Sequence, residues 1–212
     1  MDIKIGENIK ALIFDVDGTL ADSMPVHMET WELLGNKYGF QYTQEELESY
    51  AGRSGQEIVE IINEKNGLQL DPDKVAHEKE EAFLENLDRV KPIAPVVKVL
   101  EDYYGVLPIA AGTGGFRSVA TKILKSVGVW DKIDTLVGSD DVIHHKPAPD
   151  TFLKCAEELG VEPKDCLVFE DADLGFRAAR NAGMHLIDVR PYYMKGFEKE
   201  ALDGSSKQDE FD

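Results

Sequence analysis

The stretch from Ala11 to Gly18 constrains the fold of this chain more than any other. Its apolar run, Ala11 to Phe14, is typical of a strand buried on both faces, and it leads directly into Asp15 and Asp17. Residues i and i+2 of a strand lie on the same side, so both carboxylates can point from the strand end toward one place. Two carboxylates so close repel each other unless a proton or a cation lies between them. The pattern therefore predicts a site for a hard divalent metal with oxygen ligands.

Two other interpretations of this aspartate pair are open from the motif alone. Asp and Gly are ordinary turn residues, so the pair could form a surface turn. A calcium-binding EF-hand loop would need glycine at its sixth position and glutamate at its twelfth, where this chain has Leu20 and Val26. That spacing excludes the EF-hand loop. Whether the pair is only a surface turn depends on the motifs in the rest of the chain.

Length and charge narrow the classes of function. The 212 residues can bury a substantial core as one domain or as a domain with an insert. A net charge of -18 argues against nucleic acid or an anionic membrane as partner, and it favours a monomer. A phosphate site in so acidic a chain must be made locally positive by a metal, a lysine or a helix N-terminus. There is no export signal or membrane-spanning run, so we expect a cytoplasmic protein.

Hydrophobic periodicity predicts an α/β fold in two parts. Residues 25–89 have helical periodicity throughout, which indicates an all-helical insert over the end of the first strand. From residue 93 helices alternate with strands, at 105–111, 134–137, 166–169 and 184–189, and this rhythm predicts a doubly wound parallel sheet. We predict a core of residues 1–22 and 91–194, a small helical cap of residues 23–90, and a charged, flexible tail of residues 195–212.

Polar residues follow the predicted strands at their carboxyl ends, where such sheets bind ligands. After the first strand come Asp15 and Asp17, after the second Thr113, and after the fourth Glu170 and Asp171. Lys146 lies in the loop after the third strand. Each of these residues, taken alone, could have a purely structural role, such as capping a helix or forming part of a surface loop. Together they supply a nucleophile, metal ligands, a hydroxyl and a fixed cation, which is what phosphoryl transfer requires.

These motifs resemble those of the haloacid dehalogenase superfamily of phosphohydrolases over nearly the whole chain. The segment Phe14–Leu20 matches its first motif, Thr113 the second, Lys146 the third, and Glu170 with Asp171 the fourth. The helical segment resembles the small cap of the β-phosphoglucomutase-like subgroup. The resemblance implies a phosphatase of small phosphorylated metabolites, either sugar or sugar-acid phosphates of the fructose-1-phosphate or 6-phosphogluconate type.

The resemblance also implies roles for individual residues. Asp15 would be the nucleophile that forms an aspartyl-phosphate, and Asp17 the general acid and base. Mg²⁺ would be held by Asp15, by the backbone carbonyl of Asp17 and by Asp171, with Glu170 bound to it directly or through water. Thr113 and Lys146 would act with the nucleophile, and the residues expected to bind phosphate or substrate are Asp15, Gly18, Thr113, Gly114, Lys146 and His27.

The chain departs from the subgroup in the predicted cap. The mutases carry an arginine three residues after a cap glycine that matches Gly52, and here that position is Gly55. Arg53 lies two residues away and need not reach the same place. A phosphosugar mutase is therefore the alternative enzyme, and a non-catalytic metal- or ligand-binding relative is the alternative outside enzymes. Substrate choice is expected to depend on cap residues such as His27, Gln56 and Lys79.

Overall fold

The computed structural model describes residues 5–193, so the predicted tail of residues 195–212 lies outside the described residues. The strands are β1 (Ala11–Phe14), β2 (Ala21–Asp22), β3 (Lys91–Pro92), β4 (Ile109–Gly112), β5 (Thr135–Val137), β6 (Cys166–Glu170) and β7 (His185–Asp188). The helices are α1 (Met24–Tyr38), α2 (Gln44–Ser49), α3 (Gly55–Asn66), α4 (Pro72–Leu84), α5 (Ala94–Tyr103), α6 (Arg117–Ser126), α7 (Asp150–Leu159), α8 (Asp173–Asn181) and α9 (Arg190–Tyr193).

Five strands form a parallel sheet in the order β5-β4-β1-β6-β7, which confirms the predicted α/β class. β1 is the central strand, and its last residue, Phe14, lies opposite Ala111 of β4 and Phe169 of β6. Because the three strands end at nearly the same level, the residues that follow them emerge side by side. This register is what brings distant polar residues of the chain to one edge of the sheet.

Helices cover both faces of the sheet. Leu12 and Phe14 of β1 belong to the core that packs under α5 and α6, whereas Ala11 and Ile13 belong to the core under α7 and α8. All four are fully buried, as expected for the central strand of a doubly wound sheet. Phe14 also stacks on Phe169 of the neighbouring strand with a ring separation of 4.5 Å. Burial of a side chain of this size stabilises the fold by about 1.5–3 kcal/mol.

The helices α1 to α4 lie between β2 and β3, and we refer to them as the helical insert. β2 and β3 pair antiparallel, with Ala21 opposite Pro92, so the chain leaves and re-enters the sheet region at one place. The insert has a hydrophobic core of its own, formed by Trp31, Leu34, Phe40, Leu47, Ile58, Val59, Ile62 and Val75. Local signals position its helices: α3 begins with a capping box of Ser54 and Glu57. The division into a core and a cap domain at residues 22–23 and 90–91 stays a prediction.

One predicted strand begins in the wrong place. The run from residue 105 to 111 is predicted as strand, but β4 starts only at Ile109. The preceding residues form a turn in which Gly105 has a φ of +76° and the amides of Val106 and Leu107 donate to the carbonyl of Tyr103. Val106 is 69% exposed, which shows that this apolar residue lies in the turn at the surface and not in the sheet. Hydrophobicity alone therefore overestimated the strand.

Within residues 5–193, we find no helix with the length and apolar character needed to cross a bilayer.

Candidate active site

The predicted site residues converge above the carboxyl end of the sheet. Asp15 follows β1, Thr113 follows β4, and Glu170 ends β6, with Asp171 next to it. Lys146 comes from the loop that precedes α7 and reaches back across this edge. All five side chains are buried, with at most 9% of each residue exposed.

Lys146 holds two carboxylates together in the interior. Its Nζ donates to Asp15 Oδ1 at 2.6 Å, to Glu170 Oε2 at 2.7 Å and to the carbonyl of Gly112 at 3.3 Å. Burial lowers the pKa of Lys146, but the charges of Asp15 and Glu170 more than reverse this and leave it above the usual value. Burial raises the pKa of Asp15 well above its usual value, and Glu170 adds to this while Lys146 opposes it.

Three carboxylates at this edge fit a divalent cation. Oxygen atoms of Asp15, Glu170 and Asp171 lie within 4.8 Å of one another. Lys146 contributes one positive charge to this cluster of three carboxylates. The four side chains together therefore carry a net charge of -2 when all are ionised. Burial and the neighbouring Glu170 accordingly raise the pKa of Asp171. Clustered carboxylate oxygens are the donors that Mg²⁺ and Ca²⁺ prefer, so the residues fit the predicted metal.

Two glycines leave the space that this carboxylate cluster occupies. Gly18 has a φ of +83°, and a Cβ at this position would lie 2.1 Å from Asp171 Oδ2. A Cβ at Gly175 would lie 1.9 Å from Glu170 Oε2. The amide of Gly18 donates to the carbonyl of Ala21, within the turn that follows the aspartates. The predicted role of Gly18 in phosphate binding stays a prediction, because its contacts are those of a turn.

Asp17 points away from this cluster toward the helical insert. Its Oδ1 accepts hydrogen bonds from Ser23 Oγ at 2.6 Å and from His27 Nε2 at 3.0 Å, and Thr113 Oγ1 lies 3.4 Å from its Oδ2. Burial raises the pKa of Asp17, but the interactions with His27 and Ser23, together with the charge of Lys79, outweigh burial and lower it to about 2. The side chain of Asp17 is thus not part of the carboxylate cluster. The prediction that its backbone carbonyl binds metal is not tested by these contacts.

His27 connects Asp17 to a buried lysine of α4. Lys79 Nζ lies 2.6 Å from His27 Nδ1, and an ammonium group can only donate, so Nδ1 accepts and Nε2–H donates to Asp17. The imidazole stacks on Phe83 with a ring separation of 4.0 Å, which fixes its plane. The role of His27 in binding substrate or phosphate stays a prediction. In the structure its Nε2 contacts Asp17, where it can orient that carboxylate.

The loop before α3 closes against the turn after β4. A Cβ at Gly114 would lie 2.4 Å from the carbonyl oxygen of Gly52, whereas a Cβ at Gly115 would make only ordinary contact, 3.5 Å from Thr113 Oγ1. Thr113 Oγ1 also accepts the amide of Gly115 at 3.0 Å, which fixes the side chain in place. Gly114 is therefore the position where only glycine lets the insert approach the sheet so closely.

A cavity of about 90 Å³ lies between the insert and the sheet edge. Asp15, Asp17 and Thr113 line it from below, and residues of the insert, including His27 and Lys79, line it from above. Pockets for small organic ligands usually have volumes of about 300–1,000 Å³. In this arrangement of insert and sheet the space is thus smaller than such pockets usually are.

Not every candidate from the sequence reaches this cavity. The Gln56 side chain lies near Asp73 at the surface, with 3.4 Å between Gln56 Nε2 and Asp73 Oδ1. Gly55 lies on the cavity wall, as does Arg53. Sequence reasoning missed Ser23 and Glu80, because nothing in the spacing marks a single serine or glutamate as facing a site formed by a different part of the chain.

Comparison with known proteins places these features in context. The model of the haloacid dehalogenase-like hydrolase family matches residues 9–183. The fructose-1-phosphate phosphatase YqaB of Escherichia coli (strain K12) is 45% identical over 186 residues, which cover 87% of this chain and 98% of that protein. The β-phosphoglucomutase of Bacillus subtilis (strain 168) is 27% identical over 188 residues, or 85% of this chain and 83% of that protein.

Solved structures agree with the sequence matches. The crystal structure of β-phosphoglucomutase (pgmB) from Clostridium difficile superimposes with a TM-score of 0.78 at 26% identity, covering 85% of this chain and 84% of that one. A hydrolase from Pseudomonas syringae superimposes with a TM-score of 0.77, also at 26% identity, covering 84% of each chain. The resemblance therefore extends over both the parallel sheet and the helical insert.

Proposed function

Because the chain belongs to the haloacid dehalogenase-like hydrolase family, we propose that it is a Mg²⁺-dependent phosphatase of small sugar or sugar-acid phosphate monoesters. The observation that carries this proposal is the pair of aspartates after β1. Asp15 is held by Lys146 within a carboxylate cluster, while Asp17 lines the same cavity and is held by His27. One carboxylate is thus placed to attack phosphorus and the other to exchange a proton with the leaving group.

In the first half-reaction an oxygen of Asp15 attacks the phosphorus atom. A bond forms between that oxygen and phosphorus, the bond from phosphorus to the sugar oxygen breaks, and this oxygen takes a proton from Asp17. The product that remains on the enzyme is an aspartyl-phosphate. In the second half-reaction Asp17 takes a proton from water, the water oxygen attacks phosphorus, and the bond to Asp15 breaks to release inorganic phosphate.

Asp17 must gain a proton before it can act as an acid. With a pKa of about 2 it is ionised at neutral pH when no substrate is bound. A phosphate dianion entering beside it raises that pKa through like-charge repulsion. His27 and Ser23 both donate to Oδ1, whereas Oδ2 has only the long contact of 3.4 Å with Thr113 Oγ1, so Oδ2 is the oxygen that can carry the proton toward the leaving group.

Asp15, Glu170 and Asp171 would hold the Mg²⁺ ion. When bound, the metal offsets the negative charge of nucleophile and phosphate and keeps Asp15 ionised against the burial that raises its pKa. Lys146 supplies the remaining positive charge beside the attacking oxygen, and Thr113 with the amide of Gly114 would bind phosphate oxygens. The helical insert serves as a cap that opens for substrate and closes to exclude bulk water.

The substrate class follows from the relatives. The similar E. coli protein is named for fructose-1-phosphate, and we infer a substrate of that type, with 6-phosphogluconate as a second candidate. The alternative is a β-phosphoglucomutase, to which the family likeness also extends. The mutase arginine is replaced by Gly55, which weighs against a second phosphate in the cavity. The net charge of -18 further supports a monomer that acts on small metabolites rather than on nucleic acid or an anionic membrane. The cytoplasm stays its expected location.

Phosphate release from fructose-1-phosphate, 6-phosphogluconate and β-glucose-1-phosphate with Mg²⁺ present tests the proposal. We expect Asp15→Asn to abolish turnover and to keep the circular dichroism spectrum of the wild type. The matched control, Asp131→Asn, changes an exposed aspartate far along the chain and should keep full activity. EDTA should abolish turnover and excess Mg²⁺ restore it. A folded Asp15→Asn enzyme with ordinary activity would refute the mechanism.

The same panel distinguishes the alternatives. Conversion of β-glucose-1-phosphate to glucose-6-phosphate with little free phosphate would identify a mutase. A non-catalytic relative would release no phosphate from any ester and would bind no trifluoroberyllate, which mimics a phosphoryl group on an aspartate.

A further inference from the structure

Within residues 5–193, two buried side-chain polar atoms lack a hydrogen-bond partner, and both belong to residues that line the same cavity. Among the side chains that the structure describes, Arg53 Nε and Glu80 Oε2 are the buried nitrogen and oxygen atoms without a hydrogen-bond partner. Buried polar groups in proteins are nearly always paired, so each unpaired one calls for an explanation. Arg53 and Glu80 both line the cavity in which Asp15 and Asp17 meet the helical insert.

The two atoms need different kinds of hydrogen-bond partner, one a donor and the other an acceptor. The Glu80 side chain is 9% exposed, and its Oε1 already accepts from Lys79 Nζ at 3.1 Å, which leaves Oε2 as an acceptor without a donor. Arg53 Nε–H is a donor without an acceptor, since a guanidinium group has no acceptor atom. Two residues of the cavity wall therefore carry a buried acceptor and a buried donor that have no partner.

A hydroxyl group is both donor and acceptor, so neighbouring hydroxyls of one ligand can satisfy both atoms. A carboxylate or a second phosphate offers acceptors only: it could pair with Arg53, but it would meet the carboxylate of Glu80 with a like charge. An alkyl or aryl group would leave both atoms unpaired. We propose that Arg53 and Glu80 form a hydroxyl-binding subsite for the part of the substrate that is not transferred. This subsite selects neutral polyhydroxylated phosphomonoesters over phosphorylated sugar acids, bisphosphates and alkyl phosphates.

The subsite rests on the proposed phosphatase function, and it depends on the closing of the insert. Glu80 is the residue after Lys79, whose ammonium reaches His27 and through it Asp17. Arg53 follows Gly52, the residue that closes on Gly114 at the sheet edge. Both residues belong to the insert and line the cavity that it forms with the sheet edge, so closure of the insert over a bound substrate would bring them to its hydroxyl groups.

The test compares substrates in wild type and in Glu80→Gln. The glutamine keeps the size of the side chain but replaces one acceptor oxygen by a donor and removes the charge. The readout is kcat/KM for fructose-1-phosphate, 6-phosphogluconate and p-nitrophenyl phosphate, which has a phosphate but no sugar hydroxyls. We expect fructose-1-phosphate to lose about 10- to 100-fold, the effect of one hydrogen bond to a charged group. The loss with p-nitrophenyl phosphate should be at least tenfold smaller, and 6-phosphogluconate should gain relative to fructose-1-phosphate.

Glu81→Gln is the matched control, because it makes the same chemical change on the same helix at a side chain that is 67% exposed. It should leave all substrate ratios unchanged. Equal losses on the three esters in Glu80→Gln would overturn the subsite, since Glu80 would then act on the chemistry through Lys79. Unchanged ratios would overturn it as well. In the wild type alone, a preference for 6-phosphogluconate over fructose-1-phosphate would contradict the proposal without any variant. Hydrolysis of none of the esters would refute the phosphatase function itself.

Discussion

Replacement of Lys146 by methionine tests the charge balance of the candidate site in the absence of metal. The ammonium group is buried and pairs with both Asp15 and Glu170, so its removal leaves two carboxylates without their cation. Methionine has a similar length, which limits any loss of packing against Phe152, whose ring lies 4.7 Å from Lys146 Nζ. Removal of one partner from a buried ion pair usually costs about 3–5 kcal/mol of the free energy of unfolding.

The cost has an upper limit that depends on pH. The variant can restore the original net charge of the cluster if one carboxylate, such as Asp15, takes up a proton. Protonation of an aspartate with an unfolded-state pKa of about 3.9 costs about 1.36 kcal/mol per pH unit above that value. The limit is therefore about 4 kcal/mol at pH 7 and about 1.5 kcal/mol at pH 5. A carboxyl group whose pKa is raised in the folded state loses stability as pH rises above its unfolded-state pKa, so the deficit of the variant grows from pH 4 upward.

Urea or thermal unfolding of the metal-free protein at pH 5, 6 and 7 measures this deficit. We expect about 3 kcal/mol at pH 7, which corresponds to a fall of about 6–12 °C in Tm for a chain of this size. Mg²⁺ should recover part of it, because a cation that binds only the folded state stabilises it. The control Lys98→Met removes one partner of an exposed pair with Asp102 and should change stability by no more than about 0.5 kcal/mol. A deficit below about 1 kcal/mol at pH 7, or one that does not vary with pH, would refute the reasoning.

Two further predictions concern contacts around the cavity, and a third concerns the two buried cysteines. Gly114→Ala should lower kcat/KM at least tenfold, because its Cβ would meet a carbonyl of the insert at 2.4 Å, whereas Gly115→Ala should keep most of the activity in the same assay. His27→Ala should lower kcat about 100-fold in steady-state kinetics, because it releases the general acid from its orientation; ordinary kcat would contradict this role. Cys155 and Cys166 should resist thiol reagents in the native protein and react after denaturation. The reason is that burial raises the pKa of both thiols, and it raises that of Cys166 to about 11. Rapid labelling of the native protein would contradict their burial.

The fold and the family could be predicted because their signals are local. The strand from Ala11 to Phe14 is marked by its own apolar residues, and Asp15 and Asp17 follow it at the spacing that places them on one side. The matches to known proteins confirm the predicted resemblance, and with it an enzyme of the phosphatase type. The convergence of Thr113, Lys146 and Asp171 needed only one further rule, that parallel strands present their carboxyl ends at one edge.

The upper wall of the cavity could not be predicted in the same way, because it depends on how two separately packed regions meet. Lys79 and Glu80 are neighbours on one helix with the pattern of a solvated charged face, yet both are buried, at 5% and 7% exposure. Packing within the insert places Lys79 against His27 of α1, and the insert in turn approaches the sheet where Gly114 meets the carbonyl of Gly52. A buried charge is tolerated where it is paired, and Lys79 is paired with His27 on one side and Glu80 on the other. The oxygen of Glu80 that stays unpaired is therefore the feature that packing does not account for, and a substrate hydroxyl is the partner that would complete it.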